Sequence, residues 1–156
     1  MSFIQSICHI RVEIKGRRDE LEKFRKSISG FEPLLRGTLI VTDFSEFCFN
    51  RVAPISDEFI AMQSLNTLSK LRKGIWGCDS RAINVKLRQD AHKLVYTFAV
   101  FENPPMPVLN KMIKANLLKF RIEYENPQTG LSGLILGRAG KAYHRETDKF
   151  ACERAG

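Results

Sequence analysis

The chain has 156 residues, of which 44% are hydrophobic and 27% charged, and this composition is typical of one globular domain. Its net charge of +8 excludes an acidic protein that mimics DNA, and instead favours an anionic partner or a merely solubilising role. No apolar run approaches the roughly 20 residues that cross a bilayer, and the opening residues Met1–Gln5 do not form a secretory signal, so we expect a cytoplasmic protein.

The cysteines predict neither a metal site nor a disulfide framework. No two of them are close enough in the sequence to form a CxxC pair. Three lie in or beside strand-like segments, where a free cysteine behaves as a small apolar residue. We therefore expect reduced thiols at Cys8, Cys48, Cys78 and Cys152.

The amino-terminal region begins with a strand and a helix. Apolar and polar residues alternate from Cys8 to Lys15, which is the period of a strand with one buried face. The segment Arg17–Ser29 carries an apolar stripe at helical spacing, and Gly30 suits its end.

The next segments are predicted as a loop, two short strands and a second helix. The loop is Phe31–Gly37, the strand candidates are Thr38–Thr42 and Glu46–Asn50, and the helix is Asp57–Lys73, with Ser56 as its N-cap and Gly74 at its end.

A compact module follows between Trp76 and Gly133. Two strands around Ile83–Arg88 and Lys93–Phe101 are joined by a short polar turn. The second strand is apolar on both faces, which predicts a central position in the sheet. A proline-started helix, with Asn116 as a left-handed stop, leads into strands at Phe120–Tyr124 and Leu131–Leu136.

The positions of aromatic, proline and glycine residues in this module resemble those of the YubB-like family, whose proteins are encoded on plasmids and phages. The matching residues are Trp76-Gly77, Phe98, Pro104-Pro105, Tyr124-Glu125-x-Pro127, Gly130 and Gly133, with Phe47–Pro54 as a Phe-rich counterpart in the first half. The resemblance covers about Ile7 to Gly137 and implies an α+β, ferredoxin-like antiparallel sheet with about three helices packed on one face. These motifs specify a fold and not a reaction.

The resulting domain prediction is a single unit over residues 1–137, with an alternative division into halves 1–74 and 75–137. Residues 138–156 are polar, of mixed charge and without clear periodicity. We expect them to form a flexible tail or a partner-binding helix.

Catalytic and metal-binding patterns are weak. None of the three histidines, His9, His92 and His144, has a neighbour at metal-ligand spacing, and the chain carries no nucleotide-binding loop. A Cys78–His92 pair could assemble in space as nucleophile and base, although two unrelated residues are the simpler interpretation. We therefore expect no enzyme, no cofactor and no metal.

A shared basic surface is the first binding hypothesis. If the amphipathic strands pair in one sheet, their polar residues lie on one face, where cations can contact phosphate. Base stacking also needs aromatic residues there, and only Phe101 is expected to qualify. The alternative is a solvated face; the predicted binding residues are Arg11, Lys15, Lys86, Arg88, Lys119 and Arg121.

A second binding hypothesis concerns the basic end of the second helix. Lys70, Arg72 and Lys73 precede Trp76, the only tryptophan, and the four together could contact a partner. The alternative is that the cations complement the helix dipole and that Trp76 is a core anchor.

The function predicted from these observations is a non-enzymatic interaction protein. The resemblance adds the expectation that it belongs to a plasmid or phage and binds a host macromolecule, acting against a host defence. The alternative is a nucleic-acid-binding protein that uses the basic face of the sheet.

Overall fold

The computed structural model describes residues 6–36, 39–55 and 65–148. These residues form an α+β protein with a six-stranded antiparallel sheet and a separate two-stranded hairpin. The strands are β1 (Ile7–Lys15), β2 (Gly30–Arg36), β3 (Leu39–Ser45), β4 (Ile83–Gln89), β5 (Lys93–Phe101), β6 (Lys119–Asn126), β7 (Leu131–Arg138) and β8 (Lys141–Asp148). The described helices are α1 (Arg18–Ile28), α2 (Phe49–Val52), α3 (Leu65–Ile75) and α4 (Met106–Lys114).

The first strand of the chain lies inside the large sheet. The strand order is β4-β5-β1-β6-β7-β8, so β1 pairs with β5 on one side and with β6 on the other. The chain leaves β5, passes through α4 and returns as β6 beyond β1. The prediction that β5 occupies an inner position is confirmed, because it lies between β4 and β1.

The core lies on one side of this sheet, where alternate residues of β1, β5 and β6 meet α1 and α4. The Phe24 ring of α1 makes edge contacts with Tyr96 of β5 and Phe120 of β6, at centroid distances of 6.3 and 5.8 Å. The apolar face of α4, predicted from its helical spacing, is also buried. Residues of opposite parity on these strands consequently face away from the helices.

A second aromatic cluster closes one part of this core. Phe47 packs against Phe98 at a centroid distance of 4.7 Å, and Phe49 contacts Trp76 at 5.7 Å. The indole Nε1 of Trp76 donates a hydrogen bond of 2.7 Å to the Ala53 carbonyl. Trp76 is only 2% exposed, so the hypothesis that it contacts a partner is wrong and the core-anchor alternative is correct.

The predicted loop at Phe31–Gly37 is wrong, because residues 30–36 form β2 and pair with β3. The strand predicted over Glu46–Asn50 is also wrong. The Ser45 hydroxyl bonds both the N–H and the carbonyl of Phe47, which turns the chain out of β3. The Glu32 carboxylate then accepts the Phe49 N–H at 2.6 Å, where α2 begins.

The predicted tail is wrong for residues 141–148, which form β8 at the edge of the large sheet. Ala139 and Gly140, with φ of 53° and 77°, make the two-residue turn that returns the chain along β7. Two such left-handed residues are the geometry of a tight β-hairpin. Residues 149–156 lie outside the described part of the chain.

Two helix ends differ from the prediction. The helix expected over Asp57–Lys73 is described from Leu65 to Ile75, so it continues through Gly74, and residues 57–64 lie outside the described ranges. At the end of α4, Asn116 is not left-handed; its side chain instead donates a 2.7 Å hydrogen bond to the Met112 carbonyl. That bond satisfies one of the helix-terminal carbonyls.

Candidate binding face of the sheet

The large sheet has one face turned away from the helices, which we call the open face. Its cross-strand rows follow from the pairing register, because directly paired residues point to the same side. One row joins Lys86, Thr97, Arg11, Glu123, Leu134 and Arg145, and the next joins Arg88, Val95, Glu13, Arg121, Leu136 and Tyr143.

The register thus brings the six predicted basic residues to the open face. Arg11 and Lys86 share the first of these rows, and Arg88 and Arg121 share the second. Lys15 pairs directly with Lys119 at one end of the sheet.

A shallow groove of about 720 Å³ crosses the middle of the open face. Its floor is made by short side chains, including Thr97 and Ala99 of β5 and Ser132 of β7. Longer charged side chains rise around them, since the neighbouring strands place arginine, lysine and glutamate on the same face. The charged lining residues are Arg11, Lys86, Arg121, Glu123, Glu125 and Arg145.

Glu13 neutralises part of the basic charge. Its carboxylate lies 2.8 Å from the Arg11 guanidinium, 3.7 Å from Lys15 Nζ and 3.9 Å from Lys93 Nζ. The hydrogen bond from Arg11 is the main reason that the pKa of Glu13 is below its ordinary value, and the nearby cations act in the same direction. Glu13 is therefore ionised at neutral pH, and it orients Arg11 within the sheet.

The other open-face cations differ in their pairing. Arg121 is held by Glu123 at 2.9 Å. In contrast, Lys86, Arg88 and Lys119 make no ion pair with another described residue, and all three are exposed. The face therefore combines oriented guanidinium groups with cations that remain free to contact a partner.

The basic cluster at the end of α3 is a separate and more ordinary feature. Arg72 lies 5.8 Å from the centroid of the Trp76 ring and 4.0 Å from the Asp79 carboxylate. Lys70 and Lys73 are exposed in the last turns of α3, where cations complement the helix dipole. Nothing in the described structure connects these residues with the open face.

The Cys78–His92 pair does not form. Cys78 is 3% exposed and donates to the Ser80 carbonyl at 3.4 Å. Burial is the main reason that its pKa is raised to about 11, which opposes nucleophilic reactivity. Ser80 also binds the N–H of Phe101 at the end of β5, whereas exposed His92 immediately precedes the start of that strand, roughly 27 Å away.

Within the described ranges, no group of three or more His, Cys, Asp or Glu side chains could hold a metal ion. The described helices also include none that is long and apolar enough to cross a membrane.

Sequence reasoning missed the contribution of β8 to the open face. This strand adds Lys141, Tyr143 and Arg145 to the side that carries the predicted cations. Tyr143 is 62% exposed, so the face has an aromatic side chain that was not expected there. Phe101, the aromatic that was expected, lies on the open side of β5 but is only partly exposed. The Ala139-Gly140 turn was the one signal in the sequence that could have predicted β8.

Sequence reasoning also missed a polar cluster between β6 and β8 on the opposite side of the sheet. The Tyr124 hydroxyl donates to the Glu146 carboxylate at 2.5 Å and lies 2.5 Å from His144 Nε2. Burial is the main reason that the pKa of Tyr124 is raised, and the bond to Glu146 adds to it. A neutral tyrosine can donate to Glu146 and accept from His144, so the cluster ties the edge strand to the rest of the sheet.

Comparison with known proteins gives a fold relationship. No protein-family model matches the chain, and no curated protein is significantly similar to it. Among solved structures, the crystal structure of protein api92 from Yersinia pseudotuberculosis, described under family DUF1281, is similar with a TM-score of 0.68. The alignment covers 93% of this chain and 98% of the neighbour at 10% sequence identity, so the likeness concerns the fold alone.

Proposed function

We propose that this protein is a non-catalytic, cytoplasmic interaction protein that binds a macromolecular partner through the open face of its large sheet. The observation that carries this proposal is the distribution of charge. The open face holds three glutamates, Glu13, Glu123 and Glu125, and ten cations, namely Arg11, Lys15, Lys86, Arg88, Lys93, Lys119, Arg121, Arg138, Lys141 and Arg145.

Ten cations less three carboxylates leave a formal charge of +7 on this face, out of +8 for the whole chain. The remainder of the protein is therefore close to neutral. Such an asymmetry steers an anionic partner toward one side of the molecule and increases its rate of association.

The same proposal includes a ferredoxin-like core. In that arrangement two strand–helix–strand halves interleave so that the first and third strands are neighbours. The strands β1, β4, β5 and β6, with α1 and α4 as crossovers, have the order and antiparallel pairing that supports it. The strands β7 and β8 extend the sheet beyond this core.

The biological setting is proposed from the resemblance to the YubB-like family. We assign the protein to a plasmid or phage and its partner to the host cell, with action against a host defence as the role. The open face supports a binding role in particular, because a six-stranded sheet with one face free of the described helices presents a broad surface.

Affinity capture with a charge-reversal variant tests this function. The full chain is immobilised and exposed to bacterial lysate beside Lys86→Glu with Arg88→Glu, which reverses two unpaired open-face cations. The control is Lys23→Glu with Lys26→Glu on α1, where both lysines are exposed on the helical side. A partner retained by the wild type and the control but lost by the open-face variant supports the proposal. Equal retention by all three proteins, or no specific retention at all, contradicts it.

Nucleic acid is the second candidate, as one specific class of partner. The excess of seven positive charges favours it, because phosphate contacts supply much of the affinity of nucleic-acid-binding proteins. Exposed Tyr143 favours it further, since bases stack on aromatic side chains.

A further inference from the structure

One end of the open face carries a row of cations that crosses five strands. Lys93 of β5 pairs with Lys15 of β1, and Lys15 pairs with Lys119 of β6. Arg138 of β7 pairs with Lys141 of β8. The β6–β7 pairing ends at Phe120 and Gly137, one residue before Lys119 and Arg138, so the two groups continue one another. We call these five residues the cation row.

The stability of the sheet does not account for the cation row. Like charges that face each other directly on neighbouring strands are destabilising. Glu13 compensates two members, Lys15 and Lys93, at distances of 3.7 and 3.9 Å. The three others, Lys119, Arg138 and Lys141, are exposed and form no ion pair with another described residue. The row consequently presents uncompensated positive charge at the β6–β8 end.

The spacing of the row suits a linear polyanion. Neighbouring strands lie about 4.8 Å apart, so four intervals from β5 to β8 span roughly 19 Å. Cations at this pitch can follow a chain of phosphates, whereas a single small anion would use only two or three of them.

An aromatic platform lies beside the row. Tyr143 is two residues from Lys141 on β8 and points to the same side, about 7 Å away along the strand. It pairs across the strands with Leu136, which is 42% exposed, and Arg121 follows in the same cross-strand row. A base whose phosphate contacts the end of the cation row is therefore close to an exposed ring.

We propose that the cation row and Tyr143 form a binding site for single-stranded nucleic acid, with the phosphate backbone crossing the strands and a base stacked on Tyr143. This inference rests on the proposed function of the open face and specifies the class of partner. Unpaired bases are required, because a base inside a duplex does not offer its face to Tyr143. An acidic protein surface would use the same cations but would gain nothing from the stacking platform.

Fluorescence anisotropy with the full chain tests the site. The probes are fluorescein-labelled 15-residue oligouridylate and oligothymidylate, a 15-base-pair DNA duplex, and polyglutamate as an acidic polypeptide. Affinity is measured between 20 and 200 mM salt. We expect both single strands to bind more tightly than the duplex and polyglutamate, with a logarithmic salt slope of about −2 to −3.5 for three to five phosphate contacts.

Two variants separate the contribution of the cation row to binding from that of the Tyr143 ring. Replacing Lys119, Arg138 and Lys141 by glutamine should make the salt slope less steep by about 2. Tyr143→Ala should weaken single-strand binding about tenfold and leave the slope unchanged. The control replaces Lys23, Lys26 and Lys111, three exposed helix lysines, by glutamine, and should retain both the affinity and the slope. Circular dichroism and thermal unfolding verify that each variant is folded.

Several outcomes would contradict the proposed site for single-stranded nucleic acid. They are an equal loss of slope in the control variant, no effect of Tyr143→Ala, equally tight binding of the duplex, and polyglutamate binding that matches the oligonucleotides. An absence of oligonucleotide binding at 20 mM salt would also reject it. The lysate capture would still decide the proposed function of the open face independently, because it accepts a partner of any class.

Discussion

The ring of Tyr124 lies across the α-carbon of Gly133, in the space that a side chain at position 133 would need. Only the missing Cβ allows the ring to pass over β7, where its hydroxyl reaches Glu146 and His144 on β8. This contact joins β6 to the edge strand without a direct backbone pairing between them. The stability of β8 on the sheet should therefore depend on residue 133.

We predict that Gly133→Ala lowers the free energy of unfolding by about 1–3 kcal/mol, because the added methyl group displaces the Tyr124 ring. Urea denaturation measures the change. In a Tyr124→Leu background the ring is absent, so the same alanine should cost less than about 0.5 kcal/mol. An equal cost in both backgrounds would show that the ring is not the cause.

Strands β1 and β6 and helices α1 and α4 were predictable because each has one buried face. Apolar residues repeat every second position in β1 and β6, and the buried residues of β6 follow this period as far as Tyr124, with the polar Asn126 as the last buried position. Helix α1 shows its buried stripe with equal clarity at Leu21, Phe24 and Ile28. In these elements the local period and the tertiary environment agree.

The edge elements could not be predicted in the same way. Residues Lys141–Thr147 of β8 are all exposed, so no apolar period marks the strand. The strand forms because it pairs with β7, and this pairing depends on the tertiary structure and not on a local sequence pattern. The β2–β3 hairpin has a related difficulty, since it pairs outside the large sheet and contains Pro33, which favours a loop prediction.

The side of the sheet that carries the candidate site was predictable from the sequence. The number of strands that the site covers and the balance of its charges were not. Alternation alone places Arg11, Lys86 and Arg121 on the polar side of their strands. It does not reveal that Glu13 holds three cations, or that Glu125 joins the face opposite His9. The cation row needed the β7–β8 pairing, because Arg138 and Lys141 lay within the residues predicted as a tail.

A substitution in the turn between β7 and β8 should increase the stability of the protein. Ala139 has φ of 53°, and a left-handed alanine costs roughly 1 kcal/mol, whereas asparagine before glycine is favoured in this turn. We predict that Ala139→Asn raises the free energy of unfolding by about 0.5–1 kcal/mol in urea denaturation. Ala91→Asn, in the exposed β4–β5 turn without a left-handed residue, should remain within about 0.5 kcal/mol of the wild type. A loss of stability in Ala139→Asn would contradict the explanation.

The three described cysteines should be unreactive while the protein is folded. Burial raises the pKa of Cys8 and Cys48 to about 12 and that of Cys78 to about 11, so almost no thiolate exists at pH 8. We predict that a Cys152→Ser variant consumes no aromatic disulfide reagent within minutes at pH 8, and that three thiols react after denaturation. Rapid reaction of Cys78 in the folded variant would revive a nucleophilic role for it.

Glu32 should make stability depend on pH. Its side chain is buried, with Oε1 accepting the Phe49 N–H, while Oε2 has no hydrogen-bond partner among the described residues. Burial is the main reason that its pKa is raised above the ordinary value of 4.5, and the Phe49 N–H opposes that shift only in part. The folded protein therefore keeps a proton on Glu32 at pH values where the unfolded chain has lost it.

The sign of the effect follows from this difference in bound protons. As the pH rises above about 4.5, the folded state binds more protons than the unfolded state, so stability falls, by at most about 1.4 kcal/mol per pH unit, until the folded pKa is passed. Glu32→Gln keeps an acceptor for Phe49 and cannot ionise. We predict that the free energy of unfolding of this variant increases relative to that of the wild type between pH 4 and pH 8, as measured by urea denaturation at each pH. Glu22→Gln, which removes an exposed carboxylate from α1, is the matched control for the loss of a surface charge. If the free energies of unfolding of the wild type and Glu32→Gln change in parallel with pH, Glu32 does not titrate in this window.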